Sequence, residues 1–196
     1  MTRARPRDIS HPLDTALFYW IYGDGHGALG ALMIGLSAVG SGWSMLGLPP
    51  FLAARRTRAI AGWLTAALLV TSLAVFLLKL GFGRARPCAY LPGVRAIAFA
   101  APTDPSFPSG HAAGTACFAA FLAVLVVRTS SSWPAWARGA AVLGLTALAF
   151  GVALSRVYLG VHFPLDAGAG LILGGIVGVL FGLRATGRVI QTPGSA

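Results

Sequence analysis

The sequence predicts an all-α protein, a polytopic membrane helix bundle of about five transmembrane helices preceded by an N-terminal interfacial helix. Three observations predict it. The 196-residue chain is 56% hydrophobic and only 10% charged, with a mean hydropathy of +0.76, outside the range of ordinary soluble domains. Its apolar residues gather into five runs of near-span length. Its polar residues gather into three short clusters between those runs, 79–87, 108–111 and 155–166, which hold the only lysine and two of the four histidines.

A hydrocarbon core of about 30 Å takes about 20 apolar residues of helix. Segment 13–22 is too brief to cross and is interrupted by Asp14, so it reads as a helix lying in the interface. No small-residue cleavage site follows a clean apolar core, so it does not read as a signal peptide. The spans then follow as 28–48, 60–80, 112–127, 139–158 and 165–183, the third short enough to need tilt or flanking turns. Gly170, Gly174, Gly178 and Gly182 recur every fourth residue of the last span. That stripe reads as close helix packing inside the bundle, with a dimer seam as the alternative, so oligomeric state stays open. Trp133 and Trp136 beside Arg128 and Arg138 read as interfacial anchors. One integral membrane domain covers 1–196, with tail and interfacial helix in 1–27, core in 28–183 and a C-terminal tail in 184–196.

Net charge is +10, yet the arginines lie scattered between apolar runs and form no continuous basic face. Bilayer and anionic substrate are the expected partners, and nucleic acid is not. There is no Glu, and the five acids are all Asp, so a carboxylate-built two-metal site lacks ligands. Cys88 and Cys117 suit neither a disulfide framework nor a metal spacing and read as packing residues.

Five crossings place the loop 81–110 and the turn 159–164 on one side, so all three polar clusters meet at one membrane face. The other face carries Arg55, Arg56, Arg58, Arg128, Arg138, Arg184 and Arg188, against Arg84 and Arg95 beside the clusters. The positive-inside rule then turns the clusters away from the cytoplasm of a bacterial-type inner membrane, although Arg3, Arg5 and Arg7 count the other way.

Each cluster has a bland reading and a chemical one. Lys79 at a span end could simply snorkel, or it could join Arg86 as a phosphate clamp, Arg86 supplying a planar fork and Lys79 a point charge. Ser109 can cap the third span, whose first N–H groups point outward, and His111 adds an imidazole able to act as a general acid near neutral pH. If Pro164 is the first residue of the last helix, Phe163 is its cap and Asp166 its third residue, with a side chain that reaches back toward His162. Arg156 ends the preceding span. In a membrane protein so poor in charge, a joint gathering of these residues points to function.

Lys79-x6-Arg86-Pro87, then Pro108-Ser109-Gly110-His111, then Ser155-Arg156-x5-His162-x3-Asp166, resembles the three-part signature of the type 2 phosphatidic acid phosphatase superfamily, over roughly residues 28–183. That superfamily spans membrane lipid phosphatases, soluble acid phosphatases and vanadium haloperoxidases, and the apolar spans favour the first. The resemblance implies a helical bundle, no metal or other cofactor, and a phosphohistidine intermediate. By position it makes His162 the nucleophile, Asp166 its orienting carboxylate and His111 the proton donor to the leaving oxygen. It makes Lys79, Arg86, Arg156, Ser109 and the Gly110 N–H the phosphate ligands. Many bacterial relatives carry Asp where this chain has Gly110, a departure that bears on which head groups fit. Undecaprenyl diphosphate is the first substrate candidate, with phosphatidic acid, phosphatidylglycerol phosphate and lipid A phosphates open. The alternative is an anion transporter or channel that uses the same cations without hydrolysis.

Overall fold

The computed structural model describes residues 11–42, 47, 58–98 and 100–191, with side chains to 187. Among these residues it is all-helical and has no strand. In chain order the helices are α1 (Pro12–Ile21), α2 (Gly27–Val39), α3 (Arg58–Phe82), the single turn α4 (Pro87–Tyr90), α5 (Gly110–Thr129), α6 (Ala135–Tyr158) and α7 (Pro164–Gln191). Four of them, α3, α5, α6 and α7, are long and apolar enough to cross a bilayer. Of the expected first span, residues 28–39 are helical in α2 and Gly42 and Gly47 are helical too, while 43–46 and 48 lie outside the described residues, as do Arg3, Arg5, Arg7, Arg55 and Arg56. The last helix runs beyond the expected 183 to Gln191.

The pair α5 and α7, which run parallel from starts at the same end, is the axis of the bundle, with α3 packed on one side, α6 on the other, and α2 laid against α6. The glycine stripe makes that pair possible. A Cβ at Gly174 or Gly178 would collide with the carbonyl of Ala113 or Cys117, one at Gly170 would come 2.6 Å from the Ser109 carbonyl, and one at Gly182 would meet Val124 Cβ at 2.9 Å. The stripe is therefore an internal seam, where bare backbone lets two helices approach closely. Beneath it Leu64, Ala67, Leu68, Cys117, Phe121 and Ala185 form one buried cluster joining α3, α5 and α7. Leucine, isoleucine and phenylalanine side chains such as Leu69, Leu73, Phe76, Leu143, Phe150, Ile172 and Ile176 stand exposed on the outer faces. Such a surface suits lipid rather than water.

At one end of the bundle, α1 caps α6 and α7 through Phe18, buried against Val94, Val157 and Phe163. Helix α4 and the segment after it are laid over the α6–α7 turn, with Cys88 N–H donating to the Gly160 carbonyl and Ile97 N–H to that of Leu159. These contacts fix the end where the polar clusters meet.

Candidate active site

Short-range rules place most of the site. Helix α3 stops at Phe82 because Gly83 takes a left-handed φ of 57° and returns its N–H to the Lys79 carbonyl, releasing the chain toward Arg86. Pro87 then opens α4 as its first residue, with Arg86 as the cap. Ser109 caps α5, its hydroxyl accepting from Ala112 N–H at 3.5 Å, and its own N–H donates to the Asp166 carbonyl at 2.9 Å, which ties the starts of α5 and α7 together. Asp166 folds back over the start of α7 and accepts from Phe163 N–H at 2.9 Å, as its place in the first turn requires.

The cations converge. Arg86 is 5% exposed, and all of its donors are engaged. Nε donates to the Asp104 carbonyl at 2.8 Å, and one terminal nitrogen donates to the Val161 carbonyl at 2.9 Å and faces His162 Nε2 at 3.1 Å. The other terminal nitrogen donates to Asp104 Oδ1 at 2.8 Å and to the Pro105 carbonyl at 3.5 Å. Lys79 Nζ donates to Asp104 Oδ2 at 2.5 Å and to the Pro105 carbonyl at 2.5 Å. Asp104, whose side chain is 53% exposed, thus sits between Lys79 and Arg86. Partial burial pushes its carboxyl up, but the hydrogen bond and charges of Lys79 and Arg86 outweigh that and hold it at about 2. Arg156, buried at the end of α6, donates to Ser37 of α2, and its Nε has no partner among the described residues. A buried guanidinium with a spare donor is adapted to an anion.

His162 is 2% exposed, in the turn between α6 and α7. Burial first, and the Arg86 guanidinium after it, bring its imidazole down to about 3, so it is neutral at physiological pH. Asp166 Oδ2 is 3.7 Å from His162 Nδ1, beyond hydrogen-bond distance, with Ser106 Oγ between them at 2.5 Å from the carboxylate and 3.3 Å from the ring nitrogen. His111 stands in the first turn of α5, within electrostatic reach of Arg156, Arg86, Lys79 and Asp104. A Cβ at Gly110 would meet only Val75, at 3.7 Å, so the position has room for a side chain.

Behind Asp166 lies a further layer of charge. Arg84, 5% exposed, donates to Asp166 Oδ1 at 2.6 Å and to Asp14 Oδ2 at 2.5 Å, and its guanidinium lies 4.2 Å from the centre of the Phe163 ring. Asp14, 2% exposed, also accepts from Leu165 N–H at 2.9 Å. Asp14 thus pins α1 to the start of α7, where the sequence alone suggests a mere interruption of an apolar helix.

Every residue singled out from the sequence, Lys79, Arg86, Ser109, Gly110, His111, Arg156, His162 and Asp166, lies on the elements that meet at this end. Four others belong with them and were not singled out: Asp14, Arg84, Asp104 and Ser106. A signal for the first two was present, because an aspartate inside an apolar aromatic helix needs a buried cation. Asp104 and Ser106 sit in an irregular loop, where no periodicity marks them. Among the described residues no group of three or more His, Cys, Asp or Glu could hold a metal ion.

Fold and side chains together define a multi-pass membrane helix bundle with a cluster of buried arginines and histidine at one end of its helices. The chain belongs to the PAP2 superfamily, whose family model matches residues 60–187. A stretch of 79 residues, 40% of this chain, is 42% identical to an undecaprenyl-diphosphatase of Sulfolobus acidocaldarius, and the match spans 33% of that relative's length. The crystal structure of Aquifex aeolicus LpxE superposes with a TM-score of 0.72 at 29% identity, covering 91% of this chain and 99% of that one. A transmembrane PAP2-type phosphatidylglycerolphosphate phosphatase from Bacillus subtilis gives a TM-score of 0.72 at 23% identity, over 94% of this chain and 88% of that one, a likeness of fold.

Proposed function

We propose that this chain is a membrane phosphatase that hydrolyses a lipid phosphate or diphosphate without a metal, through a phosphohistidine. The observation that carries this reading is the setting of His162: a buried, neutral imidazole whose Nε2 faces Arg86 at 3.1 Å, with the charge of Arg156 in reach. A nucleophile needs that lone pair, and the phosphoryl oxygens need those cations.

In this reading the substrate phosphate takes the place of the Asp104 carboxylate between Lys79 and Arg86, and Arg156, Ser109 and the Gly110 N–H complete its cradle. His162 Nε2 attacks phosphorus, the N–P bond forms as the bond to the leaving oxygen breaks, and His111 gives that oxygen its proton. Water then attacks the phosphohistidine, His111 takes the water's proton, and phosphate leaves with His162 neutral again. Cations placed beforehand around the equatorial oxygens stabilise both transition states. Asp14, Asp104 and Asp166 are each already paired with arginine or lysine, which leaves little carboxylate for a metal.

Undecaprenyl diphosphate is the first substrate to test, given the Sulfolobus relative, followed by phosphatidylglycerol phosphate, phosphatidic acid and lipid A phosphates. The site opens on the extracytoplasmic side of a cytoplasmic membrane. Arg58 supports that side, standing at the opposite end of α3 from Lys79, roughly 30 Å away by helix rise, and so do Arg128, Arg138 and Arg184 at the same far end. Phosphate release from a panel of these lipids in chelator, wild type against His162→Ala, tests the reading. Release by the wild type alone is expected; release by neither protein would favour transport over hydrolysis.

A further inference from the structure

We propose that Ser106 is a positioning residue that fixes the tautomer of His162 and carries the contact between its imidazole and Asp166. The proposal rests on the reading of His162 as the nucleophile.

The donor and acceptor inventory decides the matter. Asp166 accepts at Oδ1 from Arg84 and at Oδ2 from both Ser106 and Phe163 N–H, a set of donors that requires an ionised, acceptor-only carboxylate. The single hydroxyl proton of Ser106 is therefore spent on Asp166, at 2.5 Å. Toward His162 Nδ1, at 3.3 Å, Ser106 Oγ has only a lone pair to offer. Nδ1 must then carry the hydrogen.

The other ring nitrogen gives the same answer independently. Nε2 faces Arg86 at 3.1 Å, and a guanidinium can only donate. Nε2 is therefore the bare nitrogen, turned into the clamp. Both neighbours demand one tautomer, and it is the one a nucleophile requires. Asp166 alone cannot enforce it, since 3.7 Å separates its nearer oxygen from Nδ1. Ser106 is itself held in place, because it is fully buried and its backbone N–H donates to the Arg84 carbonyl at 2.8 Å, which ties the loop bearing Ser106 to the arginine behind Asp166. When Nε2 bonds to phosphorus and the ring becomes cationic, the chain from Nδ1–H to Ser106 to the carboxylate is already in place to take up the charge. A serine that merely satisfied a buried carboxylate would affect folding stability and leave the tautomer alone.

The test uses the full chain in detergent with ¹⁵N-labelled histidine, the His162 signals being those absent from His162→Asn. The wild type is expected to show Nδ1–H with a bare Nε2, and Ser106→Ala, in which only the Arg86 contact still selects that form, a detectable fraction of Nε2–H. On the best lipid phosphate of the panel, Ser106→Ala should lose on the order of 100-fold in kcat, the scale of one preorganised hydrogen-bonding group, with KM within about twofold. Ser106→Thr, which keeps the hydroxyl, should restore kcat to within about tenfold. A wild type carrying Nε2–H, a Ser106→Ala variant with wild-type kcat or with its loss in KM, or a Ser106→Thr variant as impaired as Ser106→Ala would each overturn the proposal. The spectrum needs no turnover, so a wild type that shows the Nδ1–H form yet releases no phosphate would refute the phosphatase reading and not the tautomer assignment.

Discussion

Replacing Asp104 by Asn should tighten the binding of phosphate. The Asp104 carboxylate bridges Lys79 at 2.5 Å and Arg86 at 2.8 Å, and an incoming phosphate needs the same donors. Each contact is a charge-assisted hydrogen bond, a class that contributes about 1.5–3 kcal/mol when shielded from water. The side chain is 53% exposed, so solvent screening reduces each to a value nearer the 0.2–1 kcal/mol of surface pairs. Loss of the charge at both contacts should therefore favour a competing anion by about 0.4–2 kcal/mol, or roughly 2- to 30-fold in affinity. Asn keeps the shape and leaves the backbone carbonyl that accepts from Arg86 Nε. The assay is competitive inhibition of lipid phosphate hydrolysis by inorganic phosphate, read as the inhibition constant of Asp104→Asn against wild type. Because the carboxyl is held at about 2, the difference should persist unchanged across pH 5–8. An unchanged or weaker affinity for phosphate would refute this reasoning and make Asp104 a brace that holds the clamp in shape.

Asp14→Asn removes one carboxylate from a buried pair and leaves Arg84 half compensated, so a loss of about 3–5 kcal/mol in stability is expected, read as a lower unfolding midpoint in detergent; a midpoint equal to wild type would show that the pair is not structural. Gly174→Val drives a side chain into the Ala113 carbonyl and should cost about 1–3 kcal/mol or more by overpacking, visible in the same thermal assay. For pH, His162 stays neutral in the folded chain down to about 3, whereas an unfolded histidine titrates near 6.5. The unfolded state therefore binds the extra proton as pH falls below about 6.5, and the stability that the neutral imidazole contributes is lost progressively from there toward about 3. His162→Gln should flatten the Tm profile over that window, and an undiminished slope would remove His162 as its source.

What was legible in the sequence was what local rules decide. Pro164 and Asp166 announce a helix start with a carboxylate folded back over it, and the structure has that bond from Phe163 N–H. Gly83 before Arg84 announces the end of α3, and four glycines at a spacing of four announce a close helix seam. The contacts that escaped join distant stretches. Arg84 lies 70 residues from Asp14 and 82 from Asp166, and nothing in either neighbourhood specifies its partners. Charge economy alone pointed there, since a buried aspartate in an apolar helix has to be compensated. Ser106 and Asp104 were hidden differently: they occupy a loop whose course is set by backbone bonds such as Ser106 N–H to the Arg84 carbonyl, and loops carry no repeating pattern to read. Helix α2 ends at Val39, where Gly40 lets Val152 and Thr115 of neighbouring helices press against bare backbone, a tertiary fact that an apolar run does not record.

As the proposed nucleophile, His162 carries the phosphoryl group during turnover. Rapid quenching of the enzyme with a lipid substrate bearing a ³²P-labelled terminal phosphate, followed by peptide mapping, tests it most directly. An acid-labile, alkali-stable label is expected on the peptide containing His162, and none on His162→Ala. Release of labelled phosphate at the wild-type rate by His162→Ala, or a label bound to a different residue, would contradict it.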